Sequence, residues 1–194
     1  MPTIEIHRWL GNQENADPRR RLLVLPGMSH PIDMPLSYFP ALALAGLGWT
    51  VWHATWDLSG IDDDDAVGDA VNGTAADLAA AAGMSGPGRT LVMGKSVGTL
   101  AARWAREAGV PAVWLTPLLR EQPVADDIAG STAAALLVGG TNDASWDPAR
   151  AAATGKQLCV VEGGDHLLRA DDWRTYLRTV ERVTDAIVAF AAAL

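Results

Sequence analysis

The sequence is poor in cysteine, in clustered basic residues and in long apolar runs. Its one cysteine, Cys159, excludes a disulfide within the chain, and its apolar neighbours predict a buried structural thiol. Acidic residues outnumber basic ones by 23 to 15, and no Lys/Arg run is longer than the three arginines at 19–21, which argues against nucleic acid and anionic lipid as partners. No stretch approaches the ~20 apolar residues of a membrane helix, and residues 1–10 lack the apolar core of a signal peptide. We therefore expect a cytoplasmic protein with no nucleic-acid or membrane partner.

The composition that remains is that of a globular protein. With 194 residues, 49% hydrophobic and 20% charged, the chain is predicted to form one domain over residues 1–194. Short runs bounded by glycine or proline are apolar at successive positions, which is typical of strands covered on both faces. These runs are residues 21–25, 50–56, 89–93, 112–115, 133–138 and 157–161.

Helical patterns alternate with these runs, at residues 36–47, 65–82, 97–108, 148–154 and 171–194. The last segment opens with Asp171 and Asp172, which suit a helix N-terminus, and continues with apolar residues at spacings of three and four. Alternation at residues 4–9 indicates an edge strand. Strands alternating with helices predict an α/β fold, a three-layer sandwich with a mostly parallel sheet flanked by helices.

The most informative segment is the G-x-S-x-G pattern of residues 94–98, which lies between a predicted strand and a predicted helix. The turn strains the serine backbone, and small residues two positions before and after let the strand and helix pass close together. We predict that Ser96 is a nucleophile exposed at the C-terminal edge of the sheet. The same letters end a P-loop pattern, but that motif needs glycine where Arg89 stands, and residues 90–93 form a strand pattern without a phosphate-binding loop.

A serine nucleophile needs a base, and the base needs an orienting acid, which this architecture supplies downstream in the order serine, acid, histidine. Asp143 follows the predicted strand at 133–138, and His166 follows the one at 157–161, so both are expected at the edge that carries Ser96. Asp143 could instead cap the next helix, although Asp147 is better placed to do so. Asp165 adjoins His166, but its side chain is expected to serve the turn.

The remaining requirement is a pair of backbone N–H groups that bind the developing oxyanion. Val97, directly after the nucleophile, and Met28, after Gly27 in the loop that follows the strand at 21–25, are the predicted donors; the alternative for the loop is an ordinary Pro-Gly turn. Loop positions suggest further residues that shape the site, although a tryptophan there is more often a packing residue. These residues are His30, Trp56, Pro117, Leu118, Trp146 and Leu167.

The four motifs together resemble the α/β-hydrolase superfamily: the elbow at 94–98, the loops ending in Asp143 and His166, and the turn at 26–28. The resemblance implies cleavage of a small-molecule carboxylic ester or thioester through a Ser-His-Asp triad and an acyl-enzyme, with no cofactor and no metal. Only residues 116–130 separate the strand at 112–115 from the next, which leaves no room for a substantial lid. The alternative is a non-catalytic protein that keeps the fold for binding, and the sequence gives no indication of oligomeric state.

Overall fold

The computed structural model describes residues 3–9, 16–86, 88–170 and 172–194, and its central element is a seven-stranded sheet. The strand order is β1-β3-β2-β4-β5-β6-β7. The strands are β1 (Thr3–Arg8), β2 (Asp17–Leu25), β3 (Trp49–Asp57), β4 (Arg89–Lys95), β5 (Ala112–Leu115), β6 (Ala135–Gly140) and β7 (Gln157–Val161). Only the edge strand β1 is antiparallel to its neighbour, so the carboxyl ends of the other six strands meet at one edge of the sheet.

Helices cover both faces of this sheet, as the three-layer prediction requires. They are α1 (Pro35–Gly46), α2 (Asp64–Ala81), a 3-10 helix (Ser96–Ala101), α3 (Ala102–Ala108), α4 (Gln122–Gly130), α5 (Pro148–Ala153) and α6 (Trp173–Ala192). α1 and α6 pack on one face, and α2, α3 and α4 pack on the other. Among the described residues, no helix is long and apolar enough to cross a membrane.

Alternation along each strand divides the core into two apolar clusters. In β2, Leu22 and Val24 face the helices α1 and α6, whereas Leu23 and Leu25 face the opposite layer. All four are fully buried, which explains why a strand inside the sheet is apolar at successive positions. β7 differs because it is an edge strand, and residues 158 and 160 are exposed. Cys159, on its other face, is half-buried and not fully buried as predicted, because no further strand of the described residues covers this edge.

The structure corrects the prediction in two places. Residues 97–108 were expected to form one helix, but Ser96 has φ 51° and the chain first makes a 3-10 helix before α3 begins. No helix was predicted in the segment before β6, but it contains α4, a helix of 9 residues with a proline in its first turn. At the end of the chain, Asp172 caps α6 by accepting hydrogen bonds from two backbone N–H groups, while Asp171 lies outside the described residues.

Candidate active site

The strand β4 ends at a sharp turn that begins with Ser96. The φ of Ser96 is 51°, a left-handed conformation that is uncommon for residues other than glycine. A Cβ on Gly94 would lie 2.6 Å from the carbonyl oxygen of Gly98, and one on Gly98 would lie 2.3 Å from the carbonyl oxygen of Leu25. Both glycines are therefore required by close backbone approach. Because β4 runs unbroken through Lys95, this segment forms no phosphate-binding loop.

Thr99 ties this turn to the loop that follows β5. Its side chain is fully buried, and its hydroxyl donates a hydrogen bond of 2.5 Å to the carbonyl of Ser96, three residues earlier. The same oxygen accepts a hydrogen bond from the backbone N–H of Leu118 at 3.3 Å. The nucleophile turn and the loop containing Pro117 and Leu118 are thus connected beneath Ser96.

The loops after β6 and β7 are held together by their backbones. A Cβ on Gly140 would lie 2.1 Å from the carbonyl oxygen of Gly164, so the two chains touch at this point. On either side, the N–H of Asn142 donates to the carbonyl of Gly164 at 2.9 Å, and the N–H of Thr141 donates to the carbonyl of Val161 at 3.0 Å. The relative position of the two loops is therefore set by direct hydrogen bonds.

These loops carry Asp143 and His166 to Ser96. The Nε2 atom of His166 lies 2.8 Å from Ser96 Oγ, and its Nδ1 atom lies 2.9 Å from each carboxylate oxygen of Asp143. The Asp143 side chain is 1% exposed, whereas that of His166 is 37% exposed. A carboxylate only accepts, so Nδ1 carries the proton and Nε2 is left to accept from the serine hydroxyl.

The two neighbouring aspartates have other partners. Asp165 accepts hydrogen bonds from the backbone N–H groups of Leu167 and Arg169 at 2.9 Å each, and it pairs with the Arg169 guanidinium at 2.7 Å. Asp147 caps α5 by accepting from the N–H of Arg150 at 3.0 Å. Asp165 thus serves the turn and Asp147 caps the helix, which leaves Asp143 as the partner of the histidine.

The predicted oxyanion-binding groups lie beside the nucleophile. A Cβ on Gly27 would lie 3.5 Å from Ser96 Cβ, so the loop after β2 passes next to the serine, and Met28 follows in the chain. Val97 is the second residue of the 3-10 helix, and the N–H groups at the beginning of a helix have no acceptor within it. Both segments therefore lie next to Ser96, and the oxyanion-binding role of Met28 and Val97 stays a prediction.

Comparison with known proteins identifies the fold. No protein-family model matches the sequence, and no curated protein matches it. Solved structures do match over most of their length. Est1E from Butyrivibrio proteoclasticus has a TM-score of 0.70 at 13% identity, covering 100% of this chain and 95% of its own. A predicted CIB-like hydrolase from Thermoplasma acidophilum has a TM-score of 0.72 at 20% identity, covering 100% and 94%. An α/β serine hydrolase without lid from Xanthomonas campestris has a TM-score of 0.65 at 14% identity, covering 97% and 89%. The chain has the α/β-hydrolase fold.

Within this α/β-hydrolase fold, the segment between β5 and β6 contains only the short helix α4. A cavity of about 370 Å³ adjoins the histidine loop, and it is lined mainly by apolar side chains from the loop after β2, the loop after β7 and the beginning of α6. The lining residues are His30, Met34, Pro35, Leu167, Arg169, Ala170, Asp172, Trp173 and Tyr176. Two of the residues predicted to shape the site, His30 and Leu167, are among them.

Other cavities in the described part of the chain lie away from the triad. A groove of about 470 Å³ separates α1 from α6, and an acidic cleft of about 720 Å³ lies between α2 and α4. No triad residue lines either of them. In the same described ranges, no group of three His, Cys, Asp or Glu side chains could hold a metal ion. No triad residue lines the cavity of about 370 Å³ either, but Leu167, the residue next to His166 in sequence, forms part of its wall.

The other four predicted lining residues are placed differently. Trp146 is 3% exposed and packs flat on Gly139, where a Cβ would lie 2.1 Å from its ring. Trp56 packs against the apolar cluster on the α2 side of the sheet, because alternation along β3 turns it to that face. Leu118 packs against the same cluster and Pro117 is buried next to it, so both support the nucleophile turn from below.

Two buried titratable side chains flank the triad. His30 is 3% exposed, and burial, together with the charges of Lys95 and His166, lowers its pKa to about 4. His30 is therefore neutral at pH 7, and neither ring nitrogen has a hydrogen-bond partner among the described residues. Lys95, in the middle of the G-x-S-x-G pattern, donates a hydrogen bond to the carbonyl of His166. Its contact with the site was not predicted, because a lysine next to a turn is normally exposed.

Proposed function

We propose that this protein is a serine hydrolase that cleaves a carboxylic ester or thioester of a small molecule. The observation that carries the proposal is the continuous chain of hydrogen bonds from Ser96 through His166 to Asp143, with the serine held on a strained turn. A serine hydroxyl, a histidine whose Nε2 can accept its proton and a buried carboxylate that orients the ring are the components of nucleophilic acyl transfer. The names of the structural neighbours, which include serine hydrolases, support the same reaction class.

In the first half of the reaction, Ser96 Oγ attacks the carbonyl carbon of the substrate while His166 Nε2 takes the hydroxyl proton across 2.8 Å. The Asp143 carboxylate stabilises the imidazolium that forms. The carbonyl oxygen becomes negative, and the backbone N–H groups of Met28 and Val97 are the donors that we assign to it. His166 then protonates the leaving alcohol or thiol, and an acyl group remains on the serine.

In the second half, His166 takes a proton from a water molecule that attacks the acyl carbon. It returns this proton to Ser96 Oγ as the bond between Oγ and the acyl carbon breaks and the acid is released. The exposure of the imidazole, 37% of its side chain, gives water direct access to the ring. A second tetrahedral intermediate forms at the same place as the first, so the same two N–H groups serve both steps. Because every proton moves between substrate, water and His166, this mechanism requires no cofactor.

The cavity beside His166 is the subsite that we assign to the apolar part of the substrate. His30 and Leu167 contribute to its wall. Among the described residues its charged groups are Arg169 and Asp172, which are engaged in a salt bridge and in a helix cap. A neutral, apolar acyl or alcohol group therefore suits it better than an anion. Est1E from Butyrivibrio proteoclasticus was solved with ferulic acid bound, which supports a small organic acid as one product class.

Labelling with a fluorophosphonate tests the proposal directly. The probe reacts with an activated serine, and intact-mass spectrometry followed by peptide mapping should place one adduct on Ser96. The variant S96A should not react, while S59A, which removes an exposed hydroxyl elsewhere in the chain, should react like the wild type. Hydrolysis of p-nitrophenyl acetate should disappear in S96A and H166A.

A folded wild-type protein that neither forms the adduct nor hydrolyses the ester would overturn the proposal. The α/β-hydrolase fold would then serve binding alone, and the hydrogen bonds of Ser96 would be structural.

A further inference from the structure

Lys95 is among the most completely buried large side chains of the protein, with 2% of its surface exposed. Lysine is almost never buried to this extent unless its charge is paired. Among the described residues, however, no carboxylate lies within 4 Å of Nζ, and the bond that the ammonium makes is to the backbone carbonyl of His166, at 3.0 Å. The side chain thus crosses from the nucleophile turn to the histidine loop.

The burial of this charge has a cost. Loss of solvent lowers the pKa of Lys95 to about 8, and the carboxylates of Asp143 and Asp165 oppose that shift without cancelling it. A methionine could fill nearly the same volume without burying a charge. Packing alone therefore does not account for a lysine at this position, whereas a contact to the histidine loop does.

The hydrogen bond gives Ser96 and His166 a second connection. Their side chains meet at 2.8 Å, and the residue next to the serine in sequence holds the carbonyl of the histidine at 3.0 Å. The stem of Lys95 also passes beside Gly27, where a Cβ would lie 3.5 Å from Lys95 Cγ. Lys95 is therefore in contact with the nucleophile turn, the histidine loop and the loop that carries Met28.

We propose that Lys95 is a positioning residue, whose side chain fixes the backbone of the His166 loop relative to Ser96 and so aligns Nε2 for proton transfer. This inference rests on the proposed serine-hydrolase function. Lys95 does not touch the reacting atoms, so its loss should slow the chemical step and leave substrate binding intact. A displacement of about 1 Å in such an alignment can lower a rate on the order of 100-fold.

The chain supplies a matched control, because it contains only two lysines. Lys156 also donates hydrogen bonds to backbone carbonyls, those of Ser131 and Ala133, but it lies before β7, at the opposite edge of the sheet from the triad. K95M and K156M each remove one lysine whose ammonium holds two segments together. Only the first should affect the chemistry.

The experiment compares kcat and KM for a p-nitrophenyl ester, together with melting temperature, in the wild type, K95M and K156M. We expect kcat of K95M to fall at least 10-fold with KM within twofold, and both constants of K156M to stay within twofold. K95Q, whose side chain is one bond too short to reach the His166 carbonyl, is measured in parallel in case K95M does not fold. Wild-type kcat in K95M or K95Q, or an equal loss in K156M, would overturn the proposal.

A pH profile separates positioning from simple destabilisation. The titratable groups that face Lys95 are Asp143, Asp165, His30 and His166. Loss of the Lys95 proton above pH 8 should weaken the hydrogen bond to the His166 carbonyl and so lower kcat of the wild type. This alkaline decline should be absent from K95M and present in K156M. A decline that persists unchanged in K95M would contradict the assignment.

A third readout needs no substrate. The proton on His166 Nδ1, held between the ring and Asp143, should give a downfield NMR signal that shifts or broadens in K95M but not in K156M. An unchanged signal in K95M would count against the proposal even if the protein had no esterase activity. If the hydrolase function itself is wrong, the wild-type protein will already show it, because Ser96 will not be labelled.

Discussion

Replacing Gly98 with alanine is expected to damage both the fold and the site, because three backbone atoms occupy the space that the new methyl group needs. A Cβ at this position would lie 2.3 Å from the carbonyl oxygen of Leu25, and 2.9 Å from both the carbonyl carbon of Leu25 and the carbonyl oxygen of Pro26. Contacts between carbon and other heavy atoms are favourable only beyond about 3.5 Å. Relief therefore requires a shift of about 1 Å between β2 and the nucleophile turn.

The free energy of unfolding should fall by about 3 kcal/mol, the upper end of the range for overpacking, because backbone atoms cannot move aside as a side chain does. For a chain of this length each kcal/mol lowers the melting temperature by about 2–4 °C, so G98A should melt about 6–12 °C below the wild type. The shift also moves the loop that carries Met28 away from Ser96. Labelling by a fluorophosphonate should therefore slow at least 10-fold at temperatures where the variant remains folded.

Gly73 provides the matched substitution. It lies inside α2, and a Cβ there would meet nothing within 4 Å. Alanine is favoured over glycine in a helix interior by about 0.5–1 kcal/mol, so G73A should melt about 1–4 °C higher than the wild type and label at the same rate. Thermal unfolding followed by circular dichroism measures both variants. If G98A melts within 2 °C of the wild type, the argument from close backbone approach is wrong.

Three further changes test the acid, the cavity and the buried histidine. Asp143 Oδ1 accepts a hydrogen bond from the N–H of Ser145 at 2.8 Å, and in D143N the side-chain oxygen keeps this bond. The amide NH₂ group then faces His166 Nδ1 and favours the tautomer in which Nδ1 carries no proton. We expect kcat to fall about 10³- to 10⁴-fold. In L167W the larger side chain fills the cavity, so kcat/KM for p-nitrophenyl octanoate should fall at least 10-fold while that for the acetate stays within twofold. His30 is neutral when folded, with a pKa of about 4, and takes up a proton when unfolding exposes it below pH 6.5, so stability should fall between pH 6.5 and 4, and denaturant titrations of H30F should show a weaker decline.

Each of these expectations has an outcome that would refute it. Hydrolysis by D143N within 10-fold of the wild type would remove Asp143 from the triad. Equal losses on both esters in L167W would mean that the cavity does not hold the acyl chain. A decline of stability in H30F as steep as that of the wild type would assign the acid sensitivity to other groups.

The sequence was sufficient to predict the sheet, and the proximity of Ser96, Asp143 and His166, for different reasons. Runs such as that of residues 112–115 are apolar at every position, which leaves a covered strand as the simplest interpretation, and the structure contains β5 at the same place. Ser96, Asp143 and His166 could be found because each follows a strand, and the ends of parallel strands meet at one edge of a sheet whatever their order. The structure brings the three side chains within hydrogen-bond distance of one another.

The parts that could not be predicted depend on which face a side chain takes. Trp56 lies near the end of β3 and Trp146 follows β6. Alternation along β3 turns Trp56 toward the apolar cluster, and Trp146 packs on Gly139 inside the same cluster. Helix α4 is short and has a proline in its first turn, so its apolar positions are too few to establish a period. A lysine is normally predicted at the surface, and no local sequence pattern indicates otherwise for Lys95. Its contact with His166 joins positions that are 71 residues apart, so it could not be predicted from neighbouring residues.

The loops of this site are joined by backbone contacts more than by side-chain packing. Gly98 touches the end of β2, Gly140 touches Gly164, and Gly27 passes beside Ser96, each within a distance that excludes or crowds a Cβ. Backbone atoms have no rotamers to exchange, so such contacts hold Ser96, Asp143 and His166 in one geometry, which is the condition that the proposed acyl transfer requires. Activity should accordingly be more sensitive than stability to small displacements of these loops. The Lys95 hydrogen bond extends the same principle, because it joins the turn at Ser96 to the backbone of His166.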